Sequence, residues 1–426
     1  MGPSQLRLLT SRKLLAIFVT QFLGALNDNL LKNALVIQVA YRNAGSSTEV
    51  EIIVTVATAL FILPYFLFSA TAGEVADKVE KARLIRLVKL WEIAVMILAA
   101  GSFAFDGGLG FGLTVLFLLG IQATFFGPVK YGILPELLAP EDLLGGNAVI
   151  EAGTFLAILI GTIAGGLLIL TDHGPILVGA AMLVFAVGGW VASLFIPHLG
   201  ARAPRLRVNP NIIAETISVL RYANAGPVER WTILGNSWFW FVGVALVSQF
   251  PNYAKDVLGA DNQVVTLFLT INSLGVGLGA LLAGRLLRGA LSARLVPWSA
   301  LFMAVSAFDL WFAGGTPAGG ELLGAMDFMT SPAHWRIALD LFVVALGAGM
   351  FVVPLYTIMQ AKAEPSHRAR VVAANNVWNA LFMVSAGVGS VVMLKLGAGV
   401  TGIFLALALT NGVVALATWN LRKKRI

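Results

Sequence analysis

The chain has 426 residues, of which 58% are hydrophobic and 12% are charged, and its formal net charge is +7. Soluble globular domains carry about 25% charged residues, so this composition excludes an ordinary soluble protein and indicates a membrane protein with many spans. Cysteine is absent, which excludes disulfides and thiolate metal sites. No cleavable signal peptide is predicted, because the first apolar run is too long for one.

Apolar runs long enough to cross about 30 Å of hydrocarbon predict an all-α membrane protein with 12 transmembrane helices in two six-helix bundles. The first six spans are residues 14–41, 50–72, 84–104, 110–134, 146–170 and 175–196. The second six are residues 231–254, 263–286, 295–314, 335–359, 372–395 and 399–420.

The basic residues predict the orientation of these spans. With both termini in the cytoplasm, only Arg42, Lys255, Arg336 and Lys395 lie on the outer side. The other basic loop residues lie inside, including Lys89 and the tail 422–425. This distribution follows the positive-inside rule, so both termini are predicted to be cytoplasmic. It also accounts for the positive net charge, and no nucleic-acid partner is expected.

A polar segment divides the chain into an N-terminal bundle (1–197), a cytoplasmic linker (198–229) and a C-terminal bundle (230–426). Within the linker, Ile213 and Ile217 have helical spacing. This pattern is compatible with a short helix on the membrane surface and equally with a solvated linker helix.

The first span is interrupted near its middle by Asp28 and Lys32, which are four residues apart on one helix face with Gln21. A charged side chain at the bilayer centre costs about 2.5–3.5 kcal/mol on insertion scales, so such residues need a partner or a polar cavity. The spacing allows either a substrate-binding role or a purely structural pair within the helix.

The two halves contain a short internal repeat. The segment from Phe126 through Tyr131 to Glu151 is similar to that from Phe351 through Tyr356 to Asn379. Spans four and five therefore correspond to spans ten and eleven, as expected for parallel repeats about an axis normal to the membrane. On this alignment Tyr131 corresponds to Tyr356 and Glu151 to Asn379.

The loop between spans two and three resembles the signature loop of the major facilitator superfamily. Gly73, Asp77, Lys78 and Lys81 match that motif, whereas Glu80 and Ala82 depart from it. The resemblance implies the major facilitator fold. It also implies that Asp77, with Gly73 and Lys78, latches the inner gate shut in the outward-facing state. Arg288 stands at the equivalent position of the second half and is a further candidate gating residue.

Two stretches resemble the narrower family of LplT-type lysophospholipid transporters. They run from Gln21 to Asn33 and from Phe126 to Glu136, and Asn147–Gly161 fits as well. The resemblance implies a transporter in the bacterial inner membrane that moves lysophosphatidylethanolamine-type lipids to the cytoplasmic leaflet. There an acyltransferase, a possible partner, restores the missing chain. A monomer is expected. One departure concerns span seven, which lacks the basic residue expected there, so phosphate recognition by that residue does not carry over.

The predicted mechanism needs a polar cavity for the lipid headgroup. Asp28 is predicted to accept from an ammonium group and Lys32 to contact the phosphate. Lys130 and Glu151 are predicted to form an inner gate pair. Further candidate substrate-binding residues are Gln21, Asn27, Asn29, Trp240, Gln249 and Asn379.

A proton-coupled transporter of a small amphiphilic drug or metabolite is the alternative function, with Asp28 or Glu151 as the proton carrier. A non-transporting scaffold is disfavoured, because it gains nothing from costly charges inside lipid. No nucleophile with a base, metal cluster or phosphate loop is evident, so neither an enzyme nor a cofactor or metal site is predicted.

Overall fold

The computed structural model describes residues 5–42, 47–105, 108–224, 226–313 and 322–423. Their regular structure is helical, apart from an isolated bridge between Ala260 and Leu323. Helices are the expected outcome in hydrocarbon, because a helix satisfies its own backbone donors and acceptors. The basic tail residues Lys424 and Arg425 lie outside the described residues.

Long helices occur before and after the central polar segment. Before it come α1 (Arg12–Arg42), α2 (Ser47–Lys78), α3 (Lys81–Ala104), α4 (Gly108–Leu137), α5 (Leu143–Ile169) and α6 (Gly174–Leu194). After it come α7 (Pro227–Val247), α8 (Asn262–Leu287), α9 (Val296–Phe312), α10 (Pro332–Lys362), α11 (Arg368–Lys395) and α12 (Gly399–Ala417). Shorter helical segments are Gln5–Thr10, Ile212–Leu220, Arg221–Asn224, Phe250–Asn252, Tyr253–Val257, Ala325–Thr330 and Trp419–Lys423.

In the described part of the chain, ten helices are long and apolar enough to cross a membrane. The 17-residue α9 is shorter than the others, and α3 is not among the ten either. Both were predicted as spans, and their crossing stays a prediction. The sequence also placed Lys89 among the inner loop charges, which is wrong. Lys89 lies inside α3, fully buried against Glu92.

The helices pack in two sets. In the first, α1 packs on α5 and α6, and α3 packs on α4 and α6. In the second, α8 packs on α10, and α9 packs on α10 and α12. The sets meet along α2 with α11 and along α5 with α8.

The first and last described segments of the chain lie at the same end of the bundle, which we call the base. A Cβ on Gly284, near the end of α8, would contact Gln5. Trp419, after α12, lies against Trp298 at the start of α9, with ring centroids 5.1 Å apart. Because α8 ends where α9 begins, these contacts place both segments at the base.

Glycines let α1 and α5 approach to backbone contact. A side chain on Gly161 would collide with the carbonyl oxygen of Leu26, and one on Gly165 with that of Leu30. Asn33 of α1 also donates to the carbonyl oxygen of Thr162, 2.6 Å away. The polar middle of α1 is therefore held tightly against α5.

The central segment crosses the base. The backbone N–H of Ala203 donates to the carbonyl oxygen of Asp77 at 2.9 Å. The short helix Ile212–Leu220 contacts both α2 and α11. Ile213 and Ile217 on this helix are 72% and 52% exposed, and the position of the helix on the membrane surface stays a prediction.

Candidate functional site

A cavity of about 340 Å³ lies between the two helix sets, near the middle of the long helices. Its charged lining residues come from α1, α3, α4 and α5, whereas α7, α10 and α11 contribute neutral side chains. Apolar residues share the wall, including Phe61, Ile62, Phe126, Ile158 and Met383. The cavity therefore combines a charged wall in the first helix set with neutral and apolar surface.

The side chains in the polar stretch of α1 point in different directions, and only some of them face the cavity. Asp28, Asn29 and Lys32 line the cavity. Asn27 does not line it, contrary to the prediction that it binds substrate. Its Nδ2 donates away from the cavity to the carbonyl oxygen of Met182, at 3.2 Å. The reason is geometric, since neighbouring residues on a helix point about 100° apart.

Asp28 and Lys32 do not form the intrahelical ion pair that their spacing allows. Among the described residues, no ion pair within 4 Å joins them. The Lys32 Nζ instead lies 4.6 Å from the ring centroid of Phe61. The Asp28 Oδ1 is buried without a hydrogen-bond partner. A buried acceptor without a donor costs about 1–3 kcal/mol, so Asp28 favours a ligand that supplies one.

Of the neutral candidates, Gln21, Trp240 and Asn379 line the cavity along with Asn29. Gln21 is also tied to α5, because its Oε1 accepts from the Thr154 hydroxyl at 2.8 Å. Gln249 does not line the cavity, contrary to the prediction. It follows the end of α7, where its Nε2 donates to Ser248 at 3.0 Å.

Lys130 and Glu151 were predicted to pair as an inner gate. Both line the cavity, but they do not form an ion pair within 4 Å. Each contacts Tyr131 instead. The Tyr131 hydroxyl donates to the Glu151 Oε2 at 3.0 Å, and the Lys130 Nζ lies 4.5 Å from the ring centroid. The two charges therefore remain available to a ligand.

Several residues that line the cavity were not predicted from the sequence. Lys89 and Glu92 form a fully buried ion pair of 2.6 Å at the cavity wall, and Gln122 donates to Glu92 at 2.9 Å. Tyr65 and Tyr356 also line the cavity. A signal was present for the ion pair, because Lys89 and Glu92 have i,i+3 spacing within an apolar run.

At the base, Asp77 joins the two helix sets. Its carboxylate accepts from the backbone N–H of Ala369 at 3.0 Å and from the Arg370 Nε at 3.2 Å. The helices approach closely at Gly73, since a Cβ there would lie 2.7 Å from that of Ala373. Asn147 of α5 makes a second bridge, donating to the Gln360 Oε1 of α10 at 2.7 Å. These contacts close the base below the cavity.

The other predicted gating residues lie apart from this latch. Lys78 is half-buried and forms no ion pair among the described residues. Arg288 is exposed at the end of α8, in the left-handed conformation with φ 50°, and does not contact Asp77. The structure therefore does not bring Arg288 into the latch.

Glu80, which replaces a motif glycine, caps α3. Its carboxylate accepts from the backbone N–H groups of Ala82 and Arg83. Although partial burial opposes the charged form, the N–H donors of Arg83, Ala82 and Leu199 hold the pKa of Glu80 below its ordinary value. Lys81 next to it binds Glu136 at 2.8 Å.

Comparison with known proteins identifies the family to which this chain belongs. Residues 17–387 match the family model of the Major Facilitator Superfamily. The chain is 30% identical over 427 residues to the lysophospholipid transporter LplT of Escherichia coli O6:K15:H31 (strain 536 / UPEC), with 97% of each chain covered. The chain belongs to the LplT family of the major facilitator superfamily. A second relative, LplT of Escherichia coli (strain SE11), is 29% identical over 424 residues, again with 97% of each chain covered.

Solved structures agree on the fold of this LplT family member. It is similar to the human organic anion transporter MFSD10 (TETRAN), with a TM-score of 0.74, 15% identity and coverage of 95% of this chain and 99% of that one. It is also similar to the transporter FucP in its outward conformation, with a TM-score of 0.72, 13% identity and coverage of 96% and 98%. The predicted family and the major facilitator fold are confirmed.

Proposed function

We propose that this chain transports lysophospholipids, with the headgroup bound in the central cavity. The observation that carries the proposal is that Asp28 and Lys32 of α1 both line the cavity without forming an ion pair among the described residues. Asp28 has a buried oxygen without a donor, and Lys32 has no carboxylate within ion-pair distance among the described residues. A zwitterionic headgroup offers an ammonium to the first and a phosphate to the second.

The remaining cavity wall suits the rest of such a ligand. Asn29 and Asn379 offer neutral hydrogen bonds, and Trp240 offers an aromatic face to a cation. Apolar side chains, including Phe61 and Met383, are suited to the acyl chain. The relatives named LplT are called lysophospholipid transporters, which supports this substrate class.

The transport cycle we propose is alternating access between the two helix sets, acting as rigid bundles in a monomer. The base faces the cytoplasm of a bacterial inner membrane, because the basic loops lie there. The lipid then moves to the cytoplasmic leaflet, where an acyltransferase consumes it. The latch of Asp77 stabilises the state with the base closed.

The test is uptake of labelled lysophosphatidylethanolamine by proteoliposomes. Asp28→Asn and Lys32→Met are each expected to lower uptake at least tenfold, since each loses a charge-assisted contact of roughly 1.5–3 kcal/mol. The matched controls are Asp172→Asn and Lys395→Met, which change exposed residues far from the cavity. Wild-type uptake in both α1 variants would refute the proposed binding site.

The proton-coupled alternative has one observation in its favour, the same Asp28 carboxyl group in the cavity, whose buried Oδ1 has no hydrogen-bond partner among the described residues. A protonophore arm of the uptake assay separates the two functions. Undiminished lysophospholipid uptake with a collapsed proton gradient supports the flippase, and loss of uptake supports proton coupling.

A further inference from the structure

Glu92, in the interior of α3, is the centre of a polar cluster that the proposed mechanism does not use. Its Oε2 accepts from the Lys89 Nζ at 2.6 Å and from the Gln122 Nε2 at 2.9 Å. Its Oε1 accepts from the Asn27 Nδ2 at 3.4 Å. Both charged side chains are fully buried. Both groups of this ion pair are paired and hydrogen-bonded, and removing one of them would leave an uncompensated buried charge.

The cluster fixes α1 against its neighbours. The Asn27 amide donates to Glu92 on α3 and to the carbonyl oxygen of Met182 on α6. The Lys89 Nζ lies only 2.5 Å from where a Cβ on Gly24 would stand, so α1 packs directly on the ion pair. A single amide on α1 is therefore bonded to two neighbouring helices.

Asn27 and Asp28 are adjacent on α1, so their side chains leave the helix about 100° apart. When Asn27 is held between α3 and α6, Asp28 must point into the cavity. The Asp28 Oδ1 has no hydrogen-bond partner that could orient it instead. Its direction thus depends on the rotation of α1, to which the bonds of Asn27 contribute on the side of α3 and α6 while Asn33 and the glycine contacts hold the side of α5.

We propose that Glu92 is a positioning residue that orients Asp28 toward the headgroup by holding Asn27. The effect on transport rests on the proposed function, whereas the effect on orientation does not. Two pairs of substitutions separate the hydrogen bond from the charge. Lys89→Met with Glu92→Leu (the Met/Leu pair) removes both charges and the acceptor for Asn27. Lys89→Met with Glu92→Gln (the Met/Gln pair) removes the charges but keeps an oxygen acceptor for Asn27.

The first experiment measures the orientation of the side chain at position 28 and does not depend on transport. The chain has no native cysteine, so Asp28→Cys provides one thiol for a water-soluble reagent. We expect the Met/Leu background to slow labelling at position 28 roughly tenfold, which corresponds to about 1.4 kcal/mol. The Met/Gln background should restore labelling, because the neutral amide oxygen of Gln still accepts from Asn27. Ala123→Cys, on the α4 wall of the cavity, is the control for access and should label equally in every background.

The second experiment compares KM for two lysolipids. Lysophosphatidylethanolamine has an ammonium group, and lysophosphatidylglycerol has the phosphate without it. The Met/Leu pair should raise KM about tenfold for the first and leave it unchanged for the second, because only the ammonium uses Asp28. A purely structural role would lower the maximal rate for both lipids.

The outcomes distinguish this inference from the proposed function. Equal labelling at position 28 in all folded backgrounds, checked by gel filtration, overturns the positioning role. Glu92-dependent labelling in a protein that transports neither lysolipid supports the positioning role and refutes the proposed function. Failure of the Met/Gln pair to restore labelling, with the Met/Leu pair impaired, assigns the effect to the lost charges and also overturns the inference.

Discussion

Tyr131 of α4 and Tyr356 of α10 stack across the boundary between the two helix sets, with ring centroids 4.7 Å apart and planes 15° from parallel. The Tyr131 hydroxyl donates to Glu151, and the Tyr356 hydroxyl accepts from Asn379 at 3.3 Å. The internal repeat aligns the same residues in pairs. The stack is thus formed by equivalent tyrosines, each bonded to the equivalent residue of its own half, and it lies at the cavity wall toward the base.

This stack is expected to help keep the base closed. Tyr131→Ala with Tyr356→Ala should favour opening of the base by about 3- to 10-fold, because a stacked pair contributes about 0.5–1.5 kcal/mol beyond its buried area. The measurement is labelling of Ala148→Cys, a buried position in α5 near the base, in inside-out vesicles. Tyr131→Phe with Tyr356→Phe keeps the stacked rings but removes both hydroxyl hydrogen bonds, so this pair should label more slowly than the Ala pair. Equal labelling of both pairs would contradict this role.

The Asp77 latch should act on the same equilibrium. Asp77→Asn removes the charge that binds Arg370 and the Ala369 N–H, so opening at the base should increase by roughly tenfold or more, for a loss of about 1.5–3 kcal/mol. Labelling of Ala148→Cys measures this as well. The control is Asp142→Asn, because Asp142 precedes α5 at the base and makes no side-chain capping bond. Unchanged labelling and transport in Asp77→Asn would remove the latch from the mechanism.

Adding a methyl group to a glycine at the contact between α1 and α5 should destabilise the protein. Gly161→Ala and Gly165→Ala drive a methyl group into backbone carbonyls of α1 and should each destabilise the protein by about 1–3 kcal/mol. Thermal unfolding in detergent measures the loss. Gly389→Ala, where a Cβ would meet nothing within 4 Å, is the matched control and should unfold at the parent temperature or slightly above it. Equal melting of all three variants would show that α1 and α5 are not packed this closely.

Replacing Arg288 with glycine is expected to stabilise the protein. It adopts the left-handed conformation, which costs a residue with a Cβ about 1–2 kcal/mol and costs glycine little. Arg288→Gly should therefore raise the unfolding temperature. Uptake of lysophosphatidylethanolamine by the same variant tests whether Arg288 has the gating role that its position in the second half predicts. A loss of uptake in this more stable protein would support gating, and parental uptake would exclude it.

Much of the architecture could be predicted because lipid restricts the backbone to helices, so the length and spacing of apolar runs carry most of the information. The repeat likewise aligned Tyr131 with Tyr356, although only the structure shows that the two rings stack. The predictions about Lys89, Asn27 and Gln249 failed for a common reason. Each depended on which helices lie beside the residue, and hydropathy along one helix does not contain that information.

The polar interruption of the first span shows most clearly which features the sequence determines and which the tertiary structure determines. The sequence by itself determined that Asn27, Asp28, Lys32 and Asn33 lie within a membrane-spanning helix and need polar surroundings. Only the tertiary structure decided that Asn27 and Asn33 hold α1 against its neighbours while Asp28 and Lys32 face the cavity. The physical reason is that helical geometry fixes the angles between these side chains, but the packing of α1 against α3, α5 and α6 fixes its rotation.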